Sequence, residues 1–234
     1  MRERWVWARG TPLRGIAALA EAVSVGVEAL RISTRLATGV SPTPAQMRST
    51  LAAAGAGVTA LFVVAPGVAA GGGGMAADAI EAGLRAAAVL VYLVAVSRSG
   101  GIGRLLGYHG AEHKVVAALE TCGRPPTIEE ARAASPLHPR CGTSLLFWFV
   151  VAAGVVHAFL PRDPLWAAAG WRLLVLPVDL ALAYEIMRAT ARLRPGPAAR
   201  VAWLPGRALQ RLTTREPGPD ELEVALAALR GAVG

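Results

Sequence analysis

From residue 51 to residue 70 the chain runs for twenty positions without a charged side chain. At about 1.5 Å of rise per residue, a helix of that length covers about 30 Å, the thickness of a bilayer's hydrocarbon core. A helix satisfies every backbone polar group internally, which an apolar medium demands. The run therefore predicts a membrane span, with Pro66 as a point of bending. Three further runs repeat the signal, at residues 82–97, 144–160 and about 166–187. Arg85 stands near the start of the second, where a long side chain can snorkel to the headgroups. Apolar residues make up 54% of the chain and charged residues only 17%, the balance of a membrane protein. The expected fold class is an all-α polytopic membrane protein with about four transmembrane helices, a cytoplasmic helical insertion and flanking amphipathic helices.

The basic residues give these spans a direction. Residues 1–50 hold seven Arg or Lys, residues 98–143 hold six and residues 188–234 hold eight, whereas 71–81 hold none and 161–165 hold one. The positive-inside rule then puts both termini and the 98–143 segment in the cytoplasm, as a multi-pass protein of the cytoplasmic membrane. The formal charge of +8 is spread over segments that flank the apolar runs. That distribution suits anionic membrane lipids as partners, and no nucleic acid is expected. A homo-oligomer is compatible with the same pattern. Two cysteines, Cys122 and Cys141, do not make a disulfide framework in a chain of 234 residues, and in the cytoplasm both are expected as thiols.

The chain divides accordingly. Residues 1–47 form an N-terminal amphipathic, interfacial segment, with a helix over 14–36, and residues 48–97 carry the first two spans. Residues 98–143 are the cytoplasmic insertion. It has a helix over about 104–121 and a short second helix near Ile128, where Thr127 and Glu130 have capping-box spacing. Residues 144–187 carry spans three and four, and 188–234 form a basic tail whose last helix, about 219–230, has Leu222, Ala225, Leu226 and Leu229 on one face.

The chemistry gathers in the insertion. Tyr108-His109-Gly110-Ala111-Glu112-His113-Lys114 holds an HxxEH pattern. On a helix, His109 and His113 lie on one face a turn apart and can share a metal ion. Glu112 is placed to act as a base on a water activated there, or as a ligand. His138-Pro139-Arg140-Cys141 (HPRC) follows. Cys141 stands before the third span and beside Arg140, a setting for a ligand or nucleophile, while Thr143 or Ser144 suits an N-cap. Glu185, at the cytoplasmic end of the fourth span, is a further ligand candidate. Glu120, seven residues after His113, lies on roughly the same helix face. Asp179 reads as a structural partner of Arg85 or Arg172, and His157, alone in an apolar span, as a packed residue bonded to a neighbour.

At these positions the chain resembles the YqhQ-like family of bacterial multi-pass membrane proteins, a family of unknown function described as predicted metal-dependent enzymes. The stretches that carry the resemblance are Tyr108 to Lys114, Glu120, Leu137 to Ser144, Tyr184-Glu185, and Leu212-Thr213-Thr214-Arg215-Glu216-Pro217, with Arg172 and Leu176-Pro177. Residues 178–183 depart from the family's small, glycine-containing run, and the Gly-rich block that precedes the first amphipathic helix in family members has no counterpart among these residues. Residues and resemblance together imply a metal site with Glu112 as catalytic base and His109 and His113 as ligands, with His138, Cys141 or Glu185 completing the set. Tyr108, Lys114, Glu120, Arg140 and Tyr184 would stand around it.

The expected function is a metal-dependent enzyme, hydrolase-like, at the cytoplasmic membrane face, acting on a lipid or a membrane-embedded peptide. The cofactor is a divalent metal, zinc first, with manganese or iron as alternatives. A non-enzymatic scaffold or assembly factor with a closed structural metal site is the competing class. Ion transport fits less well, because such a path needs polar residues deep in the spans and the sequence offers no evident array of them.

Overall fold

The computed structural model describes residues 14–71, 74–194 and 196–233; the first thirteen residues, the Met1-Arg2-Glu3-Arg4 start among them, lie outside it. The described chain is all α. Nine helices follow one another: α1 Arg14–Thr38, α2 Pro44–Ala70, α3 Met75–Arg98, α4 Ile102–Cys122, α5 Ile128–Ala133, α6 Gly142–His157, α7 Leu165–Ala191, α8 Pro197–Thr213 and α9 Pro219–Val233. The predicted helices at 14–36, 104–121, Ile128 and 219–230 are all present, within a few residues of their expected ends.

Three helices, Pro44–Ala70, Met75–Arg98 and Trp166–Ala191, are long and apolar enough to cross a membrane. The predicted third span corresponds to α6, which is apolar but has 16 residues. At about 1.5 Å per residue it covers roughly 24 Å, short of a hydrocarbon core unless its flanks snorkel or the bilayer thins. The helix ends where His157 enters a polar cluster, so its last turn is not free to extend the apolar run.

Close Cα packing divides the chain into two units. Residues up to Ala88 together with Phe149–Glu185 make the first, and Val89–Trp148 with Ile186–Gly234 the second.

In the first unit, α2 widens into a π-helical turn over Ala60–Val64, just ahead of Pro66. Proline has no N–H to offer the Phe62 carbonyl four residues back. Arg85 Nε donates to that carbonyl instead, at 2.9 Å. Arg85 therefore does not snorkel. It is fully buried and pairs with Glu81 at 2.7 Å. The helix end that would have freed it is closed by polar partners inside the unit. Glu81 also takes two hydrogen bonds from Arg172, at 3.0 and 2.6 Å. Asp179 is fully buried and accepts from His157 at 3.0 Å, rather than from either arginine. The apolar helices thus carry a buried polar array. Its members are scattered over more than ninety positions of sequence, and for that reason no local pattern announces it.

In the second unit α4 is the central element. Thr127 and Glu130 form the expected capping box: the Thr127 N–H donates to Glu130 Oε2 (2.8 Å) and the Glu130 N–H to Thr127 Oγ1 (3.2 Å). Gly123, with φ of 67°, ends α4 in the left-handed conformation that glycine adopts without penalty. Ala111, Val115 and Ala118 of α4 meet Ala131 of α5 and Leu222 and Leu226 of α9 in one apolar cluster. The amphipathic C-terminal helix therefore buries its apolar stripe on the insertion. That packing holds α4 in place and fixes which face of it is left for chemistry.

Candidate metal centre

The face of α4 opposite that cluster presents His109 and His113, one helical turn apart, with ring centroids 4.4 Å from each other. Each imidazole is oriented by a backbone carbonyl. His109 Nδ1 donates to Thr213 O and His113 Nδ1 to Pro136 O, both at 2.7 Å. With Nδ1 carrying the proton, Nε2 of each ring keeps its lone pair for a ligand. Cys141 completes the group: its Sγ lies 3.4 Å from His109 Nε2, and one donor atom from each of His109, His113 and Cys141 falls within 4.8 Å of the other two.

A close crossing brings the Thr213 carbonyl to His109. After α8 the chain turns extended at Thr214 and passes over α4, where the Arg215 N–H donates to Leu106 O at 3.0 Å. A Cβ on Gly110 would lie 2.0 Å from the Arg215 carbonyl oxygen, so only glycine permits the approach. Lys114, the chain's one lysine, is buried on the same helix. Its Nζ donates to Arg132 O and Ala134 O, both at 2.8 Å, and pairs with Glu216 at 2.8 Å. It closes the C-terminal end of α5 and anchors the segment that follows α8. Lys114 thus supports the site from behind without reaching it.

Cys141 directly precedes α6, and its Sγ accepts the Thr143 N–H at 3.4 Å. The cysteine thus occupies the position that Thr143 or Ser144 was expected to fill, and both of those residues belong to the first helical turn. Burial by itself pushes the thiol up. Hydrogen bonds from His109 and His113 and from the Thr143 hydroxyl and N–H outweigh it and hold the group at about 5. The bond to Cys141 in turn raises His109, against the opposing effect of burial, with the Thr213 carbonyl adding to it. Without a metal, each group favours the charged form of the other, the sulfur as thiolate and the His109 ring as its protonated form.

His138 stands beside the group, its ring centroid 6.0 Å from that of His113. Its nitrogens are otherwise engaged: Nδ1 accepts the Arg140 N–H at 3.3 Å, which leaves Nε2–H to donate to Glu120 Oε2 at 3.3 Å. Burial and the neighbouring His113 push it toward the neutral form. Arg140 pairs with the same Glu120. Glu120 therefore ties His138 and Arg140 together, and the HPRC loop is held to α4 through it. Glu112 is exposed and lines a cavity of about 280 Å³ together with His109, His113, His138, Arg140 and Cys141. Tyr108 lines a second, mainly apolar cavity of about 400 Å³ between α4 and α9, and its hydroxyl accepts from Arg104 at 3.3 Å. Tyr184 and Glu185 belong to the first unit.

One residue of the site escaped the sequence reading. Gln210 of α8 is fully buried and brackets the His138 peptide, accepting its N–H and donating to its carbonyl, both at 2.8 Å. Its Nε2 also donates to Ser144 Oγ at 2.9 Å. A single glutamine in an arginine-rich helix gives little signal of its own. Its distance in sequence from the loop it clamps hides the pairing.

Fold and site together define an all-α polytopic protein with a His, His, Cys group beside an open polar cavity. Residues 12–234 match the family described as protein of unknown function (DUF1385), and the chain belongs to that family. It is 36% identical over 148 residues to the uncharacterized protein YqhQ of Bacillus subtilis (strain 168). That stretch covers 63% of this chain and 46% of the relative, so the chain spans about half the length of the curated protein it matches. No solved structure matches it.

Proposed function

We propose that the protein is a metal-dependent hydrolase working at the cytoplasmic face of the membrane, with a lipid as substrate. One observation carries the reading. Three donor atoms, from His109, His113 and Cys141, converge beside a cavity with room for substrate, and both imidazoles are pre-oriented through Nδ1. Structural zinc sites close with four protein ligands, whereas catalytic ones keep three and leave a position open. The donor set fits that second pattern, and imidazole with thiolate suits zinc ahead of manganese or iron. This favours an enzyme over a scaffold with a structural metal.

The residues then divide the work. His109, His113 and Cys141 hold the ion, which supplies Lewis acidity to a water and to a substrate oxygen. Glu112 takes the proton of the attacking water. Its exposed carboxylate lines the same cavity as the ligand triplet. Arg140 offers a cation to a developing negative charge on the substrate. Glu112 and Val116 line both the polar cavity and the apolar one, whose other wall includes Val224, Ala228 and Leu229 of α9. A substrate with a polar reacting group and an apolar chain matches that pair of cavities, which favours a lipid over a membrane-embedded peptide.

The test begins with metal content of the protein purified in detergent. His109→Ala, His113→Ala and Cys141→Ser each lose the ion, and Glu112→Gln retains it while hydrolysis of reconstituted lipids, followed by mass spectrometry, stops. An open coordination position shows as a change in the visible spectrum of the cobalt-substituted protein on adding acetohydroxamate. A wild-type protein without stoichiometric metal sinks the reading. A cobalt spectrum indifferent to the hydroxamate returns the case to a structural site, and loss of metal in Glu112→Gln makes Glu112 a ligand instead of the base.

A further inference from the structure

The buried polar array of the first unit takes no part in the reaction proposed above, and its charges are unevenly matched. Three guanidinium groups converge on Glu81: Arg172 through two hydrogen bonds, Arg85 at 2.7 Å and Arg162 at 3.1 Å. Asp179 has only the His157 imidazole, at 3.0 Å. Among the described residues, Asp179 Oδ1 and Arg85 Nη1 are buried side-chain atoms with no hydrogen-bond partner. One carboxylate is thus bonded by three cations, while the other, fully buried, has no arginine in direct contact and feels Arg85 only through space. A carboxylate so weakly compensated in that setting is costly, and the cost falls when a proton is taken up next to it.

His157 is built to take it. Arg85 Nη2 donates to its Nδ1 at 3.0 Å, and Glu81 Oε1 lies 3.2 Å from the same nitrogen. In the neutral imidazole Nδ1 accepts from Arg85 and Nε2–H donates to Asp179. In the charged one Nδ1–H donates to Glu81 Oε1, Nε2–H still donates to Asp179, and Arg85 keeps its bonds to Glu81 and to Phe62 O. Both protonation states therefore find a hydrogen-bond partner for each ring nitrogen without a backbone shift. Among the described residues, the charged groups around the ring are Glu81 and Arg85 from α3, Asp179 and Arg172 from α7, and the Asp78–Arg162 pair at the rim. The space among them is too small for a water molecule. Asp78 and Arg162 are the partly exposed members, so the rim is the route to solvent.

We infer that the His157–Asp179 pair is a proton-binding site, embedded among the apolar helices and distinct from the metal centre. The ligand is a single proton, exchanged with solvent past Asp78 and Arg162. When it binds, the Nδ1 hydrogen bond passes from Arg85 to Glu81, and the Asp179 charge gains a cation in direct contact.

The experiment uses the full chain, labelled with ¹⁵N-histidine and reconstituted in lipid nanodiscs. The His157 imidazole is identified by its disappearance in His157→Gln and is followed from pH 5 to pH 8. The expected result is one ring that is doubly protonated at the acid end of this range, with Nε2–H hydrogen-bonded throughout. Asp179→Asn removes the negative partner and lowers the proton affinity at least tenfold, read as a midpoint displaced by a pH unit or more. Arg85→Gln removes a nearby cation and raises it. A ring that stays singly protonated down to pH 5 in the wild-type protein overturns the proposal whether or not the variants fold. An unchanged midpoint in folded Asp179→Asn overturns it as well.

Discussion

Gln210 holds the His138 peptide at both ends, its Oε1 accepting the N–H and its Nε2 donating to the carbonyl, each at 2.8 Å. An amide side chain is the group that can do both at once. The clamp keeps the HPRC loop beside α4 and therefore fixes where Cys141 stands.

Replacing that side chain tests its role directly. Gln210→Leu leaves the buried His138 N–H without a partner, at about 1–3 kcal/mol for an unsatisfied group, and leaves the His138 carbonyl only the Cys141 N–H at 3.3 Å. The expected outcome is a clear drop in melting temperature in detergent, accompanied by weaker metal retention against a chelator. Gln210→Glu keeps the acceptor and loses the donor, so it should fall between the wild type and the leucine variant. A Leu variant as stable as the parent would remove Gln210 from the account of the site.

Gly110→Ala addresses the crossing between α4 and the segment after α8. The new methyl would meet the Arg215 carbonyl oxygen at 2.0 Å, which is backbone and cannot rotate away. Overpacking of this kind costs about 1–3 kcal/mol. The segment should lift, and His109 should lose the Thr213 carbonyl that orients it. Both stability and metal content are expected to fall, whereas Gly142→Ala, where a Cβ meets open space, should leave stability nearly unchanged.

How much of this was legible beforehand depended on the range over which the signal acts. Three of the four expected spans, the capping box of Thr127 and Glu130 and the apolar stripe of α9 are set by neighbours within a turn or two, and each stands where its local pattern puts it, whereas the third apolar run forms a helix of only 16 residues. His109 and His113 share a helix, so their spacing alone predicts that they meet. Cys141 joins them because a loop folds back, which spacing cannot show. Arg85 was read as a charge near the end of a span, yet it is buried, because Glu81 one turn earlier and the Phe62 carbonyl released by Pro66 give it partners. A helix start seen in isolation contains neither the proline of the preceding helix nor the histidine of α6.

The Cys141 thiol gives a pH prediction. Burial pushes it up, but the imidazoles and Thr143 hold it at about 5 in the absence of metal. The thiolate is favoured above that value and is lost as pH falls through it. In a metal-free protein carrying Cys122→Ser, alkylation by iodoacetamide should rise with pH around 5 and be near its plateau at neutral pH. A free thiol, with a pKa of about 8.5, would still be gaining rate at pH 8. Thr143→Val removes a donor to the sulfur and should shift the profile to higher pH. Added zinc should protect Cys141 from the reagent. Protection by zinc with an unshifted profile in Thr143→Val would leave Cys141 a ligand and remove Thr143 as its modulator.

The orientation of the chain gives the last prediction. The positive-inside rule predicts that the arginine-rich segments, the insertion carrying His109, His113 and Cys141 among them, lie in the cytoplasm. Asp163 is exposed in the short turn between α6 and α7, a turn with one basic residue, whereas Glu130 belongs to the capping box of α5 in the basic insertion. A membrane-impermeant maleimide should therefore label a cysteine at Asp163 in intact cells and leave one at Glu130 unlabelled until the cells are opened. Cys122→Ser in the background removes the less buried native thiol, and Glu129→Cys avoids disturbing the cap should Glu130→Cys unfold α5. The pattern matters for the chemistry as much as for the topology. Labelling of the insertion from outside would put His109, His113 and Cys141 in an oxidising space, where a low-pKa thiol invites oxidation and a cytoplasmic lipid substrate is out of reach.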